Sequence, residues 1–74
     1  MTEKINSDAT GTVWKIVAPA GTQVKAEDVI VIIESMKMEI PVLATSAGIV
    51  TEVMVKEGEP IAEGQLVALI GKNA

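Results

Sequence analysis

The chain is 74 residues long, with six lysines against ten acidic residues, and it contains no cysteine, histidine or arginine. Those absences exclude a disulfide framework, thiolate and imidazole metal sites, the Ser-His-Asp and Cys-His devices and a bidentate guanidinium clamp for phosphate, so the chain is expected not to be an enzyme and to bind no metal. An acidic balance with a single aromatic residue, Trp14, also excludes the basic, ring-bearing face that nucleic acid requires.

Val and Ile together supply 19 residues, against three Leu and no Phe or Tyr. β-branched side chains fit a pleated surface and lose χ1 freedom in helices, so the composition predicts an all-β domain. In chain order, a short edge strand is predicted over Glu3–Asn6 with Ile5 as its anchor, and a turn at Ala9-Thr10-Gly11. Thr12–Ala18 reads as a strand, ended by Pro19-Ala20-Gly21, because proline cannot donate to a ladder and glycine permits positive φ. Thr22–Val24 is a short strand. Lys25–Asp28 is a polar turn without the glycine expected there. Val29–Glu34 is predicted to be a strand buried on both faces, from its unbroken apolar run. Met38–Leu43 runs back from a tip at Met36-Lys37. Ile49–Val55, Pro60-Ile61 and Leu66–Ile70 follow as strands, separated by turns at 45–48, 56–59 and 62–65, and Gly71–Ala74 is a polar end. Short strands with turns at close intervals predict a sandwich or flattened barrel.

The two halves of the chain match at a constant offset of 37 residues without a gap. Gly11 falls on Gly48, Val13 on Val50, Ile16 on Val53, Gly21 on Gly58 and Val24 on Ile61, and Val29–Ile33 falls on Leu66–Ile70. Both glycine pairs are expected to sit at turns. Two copies of one supersecondary unit imply a quasi-twofold architecture in which each copy closes the other's core; two are too few for a solenoid. The link between copies, Glu34 to Ser46, is then a hairpin with Lys37 near its tip and the chain ends away from it. All 74 residues are expected to form one domain. Residues 1–20 hold no apolar h-region and the longest apolar run is five residues, so a soluble cytoplasmic monomer is expected.

The tip reads Glu34-Ser35-Met36-Lys37-Met38-Glu39. Alternation along a hairpin sends Met36 and Met38 to one side and Lys37 to the other. The methionines then pack on the end of the core, form an adaptable apolar contact surface, or do both. The ammonium of Lys37 stands on a four-carbon stem with no carboxylate obliged to pair with it, since exposed pairs with Glu34 or Glu39 are worth little. Such an amine is open to acylation by another enzyme. An ordinary surface lysine is the simpler reading of any single lysine; what distinguishes Lys37 is its place at the junction of two repeats.

Glu34-Ser35-Met36-Lys37-Met38-Glu39 resembles the attachment motif of biotinyl domains, whose usual form is Ala-Met-Lys-Met. The likeness runs from about Thr10 to Ile70 and includes Gly11-Thr12-Val13, the Gly21 and Gly58 turns and Val55-Lys56-Glu57-Gly58. It is nearest to the small free-standing biotin/lipoyl attachment proteins of bacteria. The resemblance implies a barrel-sandwich hybrid, a flattened barrel of two four-stranded antiparallel sheets with quasi-twofold symmetry. It implies biotin as the cofactor, attached covalently to Lys37 by a biotin protein ligase, and carriage of a carboxyl group between a biotin carboxylase and a carboxyltransferase. Glu34, Ser35, Met36, Met38, Glu39 and Gly21 are the residues it offers for recognition by ligase and partners. Ser35 departs from the usual alanine, residues 25–28 depart from a lysine-glycine turn, and nothing is inserted between Ala18 and Thr22, where some acetyl-CoA carboxylase carriers hold a thumb.

Two other readings stand beside this one. Lipoyl domains share the fold and also use a hairpin lysine, with a glutamate three residues before it and a glycine sixteen before it, as Glu34 and Gly21 are here. Their usual aspartate before the lysine and small or aliphatic residue after it are replaced by Met36 and Met38, so lipoate on Lys37, alone or besides biotin, is the alternative. The third reading is an unmodified β interaction module that recruits a partner strand to a sheet edge.

Overall fold

The structure, a computed structural model, describes residues 2–71. Among the described residues there are eight strands: β1 (Thr2–Asn6), β2 (Gly11–Ile16), β3 (Gln23–Val24), β4 (Val29–Ser35), β5 (Met38–Leu43), β6 (Gly48–Val53), β7 (Pro60–Ile61) and β8 (Leu66–Gly71). They form two four-stranded antiparallel sheets, ordered β1-β8-β6-β3 and β5-β4-β2-β7. The molecule is elongated, 39 × 18 × 17 Å. Among the described residues no helix is long and apolar enough to cross a membrane. Lys72–Ala74 of the expected polar end lie outside the described residues, and Gly71 closes β8.

Strand ends differ from expectation by one or two residues, for local reasons. Thr12–Ala18 is extended only to Ile16, because the N–H groups of Val17 and Ala18 both donate to the Ile30 carbonyl, at 2.9 and 3.0 Å, and turn the chain. Ile49–Val55 likewise stops at Val53, where Met54 N–H donates to the Val67 carbonyl at 2.7 Å.

The offset of 37 holds at every level of the structure. The register of β1 on β8 (Thr2↔Gly71, Ile5↔Ala68) is that of β5 on β4 (Glu39↔Glu34, Val42↔Val31). The register of β2 on β4 is that of β6 on β8, with the bulge at Trp14 repeated at Thr51. Each buried apolar side chain has a buried mate: Ile5 and Val42, Val13 and Val50, Ala18 and Val55, Val24 and Ile61, Ile30 and Val67, Val31 and Ala68, Ile33 and Ile70. Ala44 is matched by Ser7, the one buried polar residue described, whose hydroxyl donates to the Ala9 carbonyl at 2.6 Å and accepts from the Ala9 N–H at 3.2 Å.

Two expectations change. The second copy begins at Met38, not after Ser46: β5 is the counterpart of β1, which leaves only Met36-Lys37 as the link. β1 and β5 share almost no sequence beyond one core position, Ile5 and Val42, so this was visible only in pairing. The apolar run of β4 does not reflect burial on both faces. Ile30 is skipped in the register with β5, so Ile30 and Val31 both turn inward, while Val29 and Ile32 are half-buried.

Each sheet draws two strands from each copy: β1 and β3 lie with β6 and β8, and β5 and β7 with β2 and β4. Neither copy can bury its apolar face without the other, which is why the repeat occurs as a pair. The arrangement also separates the ends. Thr2 and Gly71 pair at the position that Glu39 and Glu34 take in the other half, so the hairpin stands at one end of the long axis and the described chain ends at the other.

Candidate functional site

β4 and β5 end at the pair Ser35↔Met38, one pair beyond Glu34, the last β4 residue that β2 reaches. Met36 and Lys37 are the two residues of the loop, with φ of 51° and 65°. Positive φ at both central residues is the type I′ hairpin turn, whose twist matches that of the strands it joins. Glycine and asparagine are the usual occupants; an L side chain costs roughly 1–2 kcal/mol in this region. The strand alternation used to place the side chains therefore stops at Ser35. Met36 and Lys37 belong to the turn and only Met38 belongs to a strand.

Exposure decides between the two roles open to the methionines. Met36 is 92% exposed and Met38 64%, so neither packs on the end of the core. Lys37 is exposed, and among the described residues its ammonium has no hydrogen-bond or ion-pair partner. Ser35 is half-buried beneath the turn. Glu34 and Glu39 are exposed and directly opposite one another, with Thr12 opposite Glu34 on the next strand. Like charges in direct cross-strand register are destabilising, so the hairpin base holds negative potential at a small cost in stability.

Gly11 lies beneath this base. A Cβ there would fall on the Glu34 carbonyl oxygen, so only glycine lets β2 approach the end of β4. Gly21 is placed elsewhere. Its φ is 95°, and its N–H donates to the Val50 carbonyl at 2.7 Å, in the sheet and at the end where Thr2 pairs with Gly71. The structure does not bring Gly21 to the hairpin. Its counterpart Gly58 is there instead, with φ of 90° and its N–H donating to the Val13 carbonyl at 2.7 Å, one residue along β2 from the partner of Glu34. Gly11 and Gly58 were therefore overlooked as supports of the site, although the offset of 37 carries Gly21 directly onto Gly58.

A groove bordered by Lys4, Asp8, Glu27, Pro41, Leu43 and Thr45 lies between the inner ends of β1 and β5, and Lys37 takes no part in it. Among the described residues no group of His, Cys, Asp or Glu is arranged to hold a metal ion. An unpaired primary amine on a strained two-residue turn, at the end of a closed β scaffold, is the geometry of a covalent-attachment protein.

Comparison with known proteins gives the same class. Residues 5–70 match the family described as "Biotin-requiring enzyme", and the chain belongs to that family. It is 46% identical over 70 residues to the Biotinylated protein TB7.3 homolog of Mycobacterium leprae (strain TN), covering 95% of this chain and 99% of that protein. It is 42% identical over 62 residues to the Biotin/lipoyl attachment protein of Bacillus subtilis (strain 168), covering 84% of this chain and 85% of that one. Among solved structures, the Kluyveromyces lactis Urea Carboxylase superposes with a TM-score of 0.91 at 42% identity over 96% of this chain, which corresponds to 6% of the length of that enzyme.

Proposed function

We propose that residues 1–74 form one attachment domain that acts as a biotin carboxyl carrier, with biotin held covalently on Lys37. The observation that carries this reading is the Met36-Lys37 turn: an exposed two-residue turn presents an amine with no hydrogen-bond or ion-pair partner among the described residues, within a Met-Lys-Met sequence, in a chain of the family described as "Biotin-requiring enzyme". The residues fit the group. A primary amine on a flexible stem forms an amide with an activated carboxyl group, and its exposure leaves room for a ligase to approach. When bound, biotin supplies the ring on which a carboxyl group travels.

The chain's own part is presentation. A biotin protein ligase would supply the biotinyl group in activated form; the deprotonated Nζ of Lys37 would be the nucleophile toward its acyl carbon, the amide C–N bond forming as the activating group leaves and Nζ gives up one proton to solvent. The left-handed φ values at Met36 and Lys37 close the turn in two residues and leave Lys37 exposed at its tip. Met36 and Met38 provide an apolar contact for the ligase, and Ser35, Glu34 and Glu39 a polar base beneath it. Gly21 acts by turning the chain at the far end. The hairpin then extends the carried group toward a biotin carboxylase and a carboxyltransferase, and raises its local concentration at each. The domain is not itself an enzyme and works as a cytoplasmic monomer; the carboxylation and transfer chemistry resides in its partners.

Intact-mass spectrometry after incubation with biotin protein ligase, ATP and biotin tests this. One biotinyl adduct is expected on the wild type and none on Lys37→Ala, whose melting temperature stays unchanged because Lys37 is exposed and makes no hydrogen bond or ion pair among the described residues. A lipoyl adduct in protein from the native host assigns the alternative cofactor. Wild-type protein left unmodified by an active ligase in excess biotin overturns the carrier reading.

A further inference from the structure

Two of the three internal methionines flank Lys37, and they are the most exposed large apolar side chains among the described residues, at 92% for Met36 and 64% for Met38 against 48% for Met54. The chain has no cysteine, so no thiol competes with these thioethers for an oxidant. The core is built of Val, Ile and Ala, which peroxides leave alone. Oxidisable sulfur is therefore concentrated at the attachment turn, where access is greatest. Oxidation to the sulfoxide turns a flexible apolar side chain into a polar one and is reversible by methionine sulfoxide reductases.

We propose that Met36 and Met38 form a peroxide-sensitive switch: their oxidation to sulfoxides prevents the ligase from loading Lys37, and reduction restores loading. The inference rests on the carrier reading above, in which these two side chains are the apolar contact for the ligase. Chemically, the thioether sulfur attacks one oxygen of hydrogen peroxide, the O–O bond breaks, an S–O bond forms and water leaves. Sulfur is oxidised by two electrons and peroxide oxygen is reduced. In the reverse step a reductase dithiol takes the oxygen as water and becomes a disulfide. The fold is untouched, because neither methionine packs into the core. Only the contact surface changes, from apolar to polar, beside the amine that must reach the acyl group.

The test uses the full chain treated with graded hydrogen peroxide. Peptide mapping is expected to find Met36 and Met38 oxidised before Met54, with the circular dichroism spectrum and melting temperature retained. The kcat/KM for biotin ligation should fall about tenfold or more, the size expected when an unpartnered polar group is set against an apolar contact. Methionine sulfoxide reductases of both epimer specificities should restore it. In the Met36→Leu/Met38→Leu double variant the ratio of treated to untreated rates should be one, whatever its own rate, whereas Met54→Leu keeps the sensitivity. Reduced protein that takes no biotin overturns the carrier reading and this inference with it. Reduced and sulfoxide forms loaded at equal rates, or sensitivity persisting in the double variant, overturn this inference alone.

Discussion

Replacing Met36 with asparagine separates the two things this residue does. In the structure Met36 holds φ at 51°, a region that costs an L side chain roughly 1–2 kcal/mol, and that asparagine enters more readily. The substitution should recover about half of that penalty, near 0.7 kcal/mol. Against this stands the packing lost. Met36 is 92% exposed, so its covered surface is on the order of 15 Å² and worth about 0.4 kcal/mol at 25 cal/mol/Å². The balance is a small stabilisation of about 0.3 kcal/mol. At about 4–8 °C per kcal/mol for a domain of this size, the melting temperature should rise by about 1–2 °C. Ligation should move the other way, since asparagine offers no apolar contact. Scanning calorimetry reads the first effect and ligation kinetics by intact mass the second. A melting temperature lowered by more than about 4 °C would place Met36 in the packing after all. Unchanged kcat/KM would remove the methionine from ligase recognition.

Two further experiments exploit the internal repeat. Glu27 holds φ at 74°, where its counterpart Gly64 holds 87°; both sit in turns tied at the same places, Asp28 N–H to the Lys25 carbonyl and Gln65 N–H to the Ala62 carbonyl, each at 3.0 Å. Glu27→Gly should stabilise by about 0.5 kcal/mol, the relief of left-handed strain less the backbone entropy glycine adds to the unfolded chain, and Gly64→Ala should destabilise by a similar amount. Opposite signs in thermal melts would contradict this. Gly11→Ala and Gly48→Ala drive a methyl group into the carbonyl oxygens of Glu34 and Gly71 respectively, and each should cost about 2 kcal/mol or more through the forced backbone shift. Gly11→Ala should also slow ligation measured well below its melting temperature, because Glu34 lies at the hairpin base. Gly48→Ala perturbs the far end and should leave ligation at the wild-type rate; equal losses in both variants would show that the hairpin is not positioned locally.

The strands, the repeat and the hairpin lysine were legible in the sequence because each is written in local chemistry. β-branched runs make strands, Gly21, Gly58 and Pro19 stop them, and a constant offset survives any change in three-dimensional arrangement. Lys37 stood out because it falls between the copies. What the chain alone could not express was pairing. That β5 is the counterpart of β1, that each sheet mixes strands of both copies, and that Ile30 and Trp14 are bulged out of register all depend on hydrogen bonds between residues distant in sequence. The same holds at the site. Alternation put Met36 and Met38 on one side, but the two-residue link between β4 and β5 closes only with positive φ at Met36 and Lys37, and that turn ends the alternation. Gly11 and Gly58 became supports of the hairpin, and Gly21 was carried to the far end, only when the quasi-twofold set the copies head to tail. The candidate site residues were thus readable one at a time, and the tertiary structure alone decided which of them stand together, because proximity across two sheets is set by the closing of one shared core.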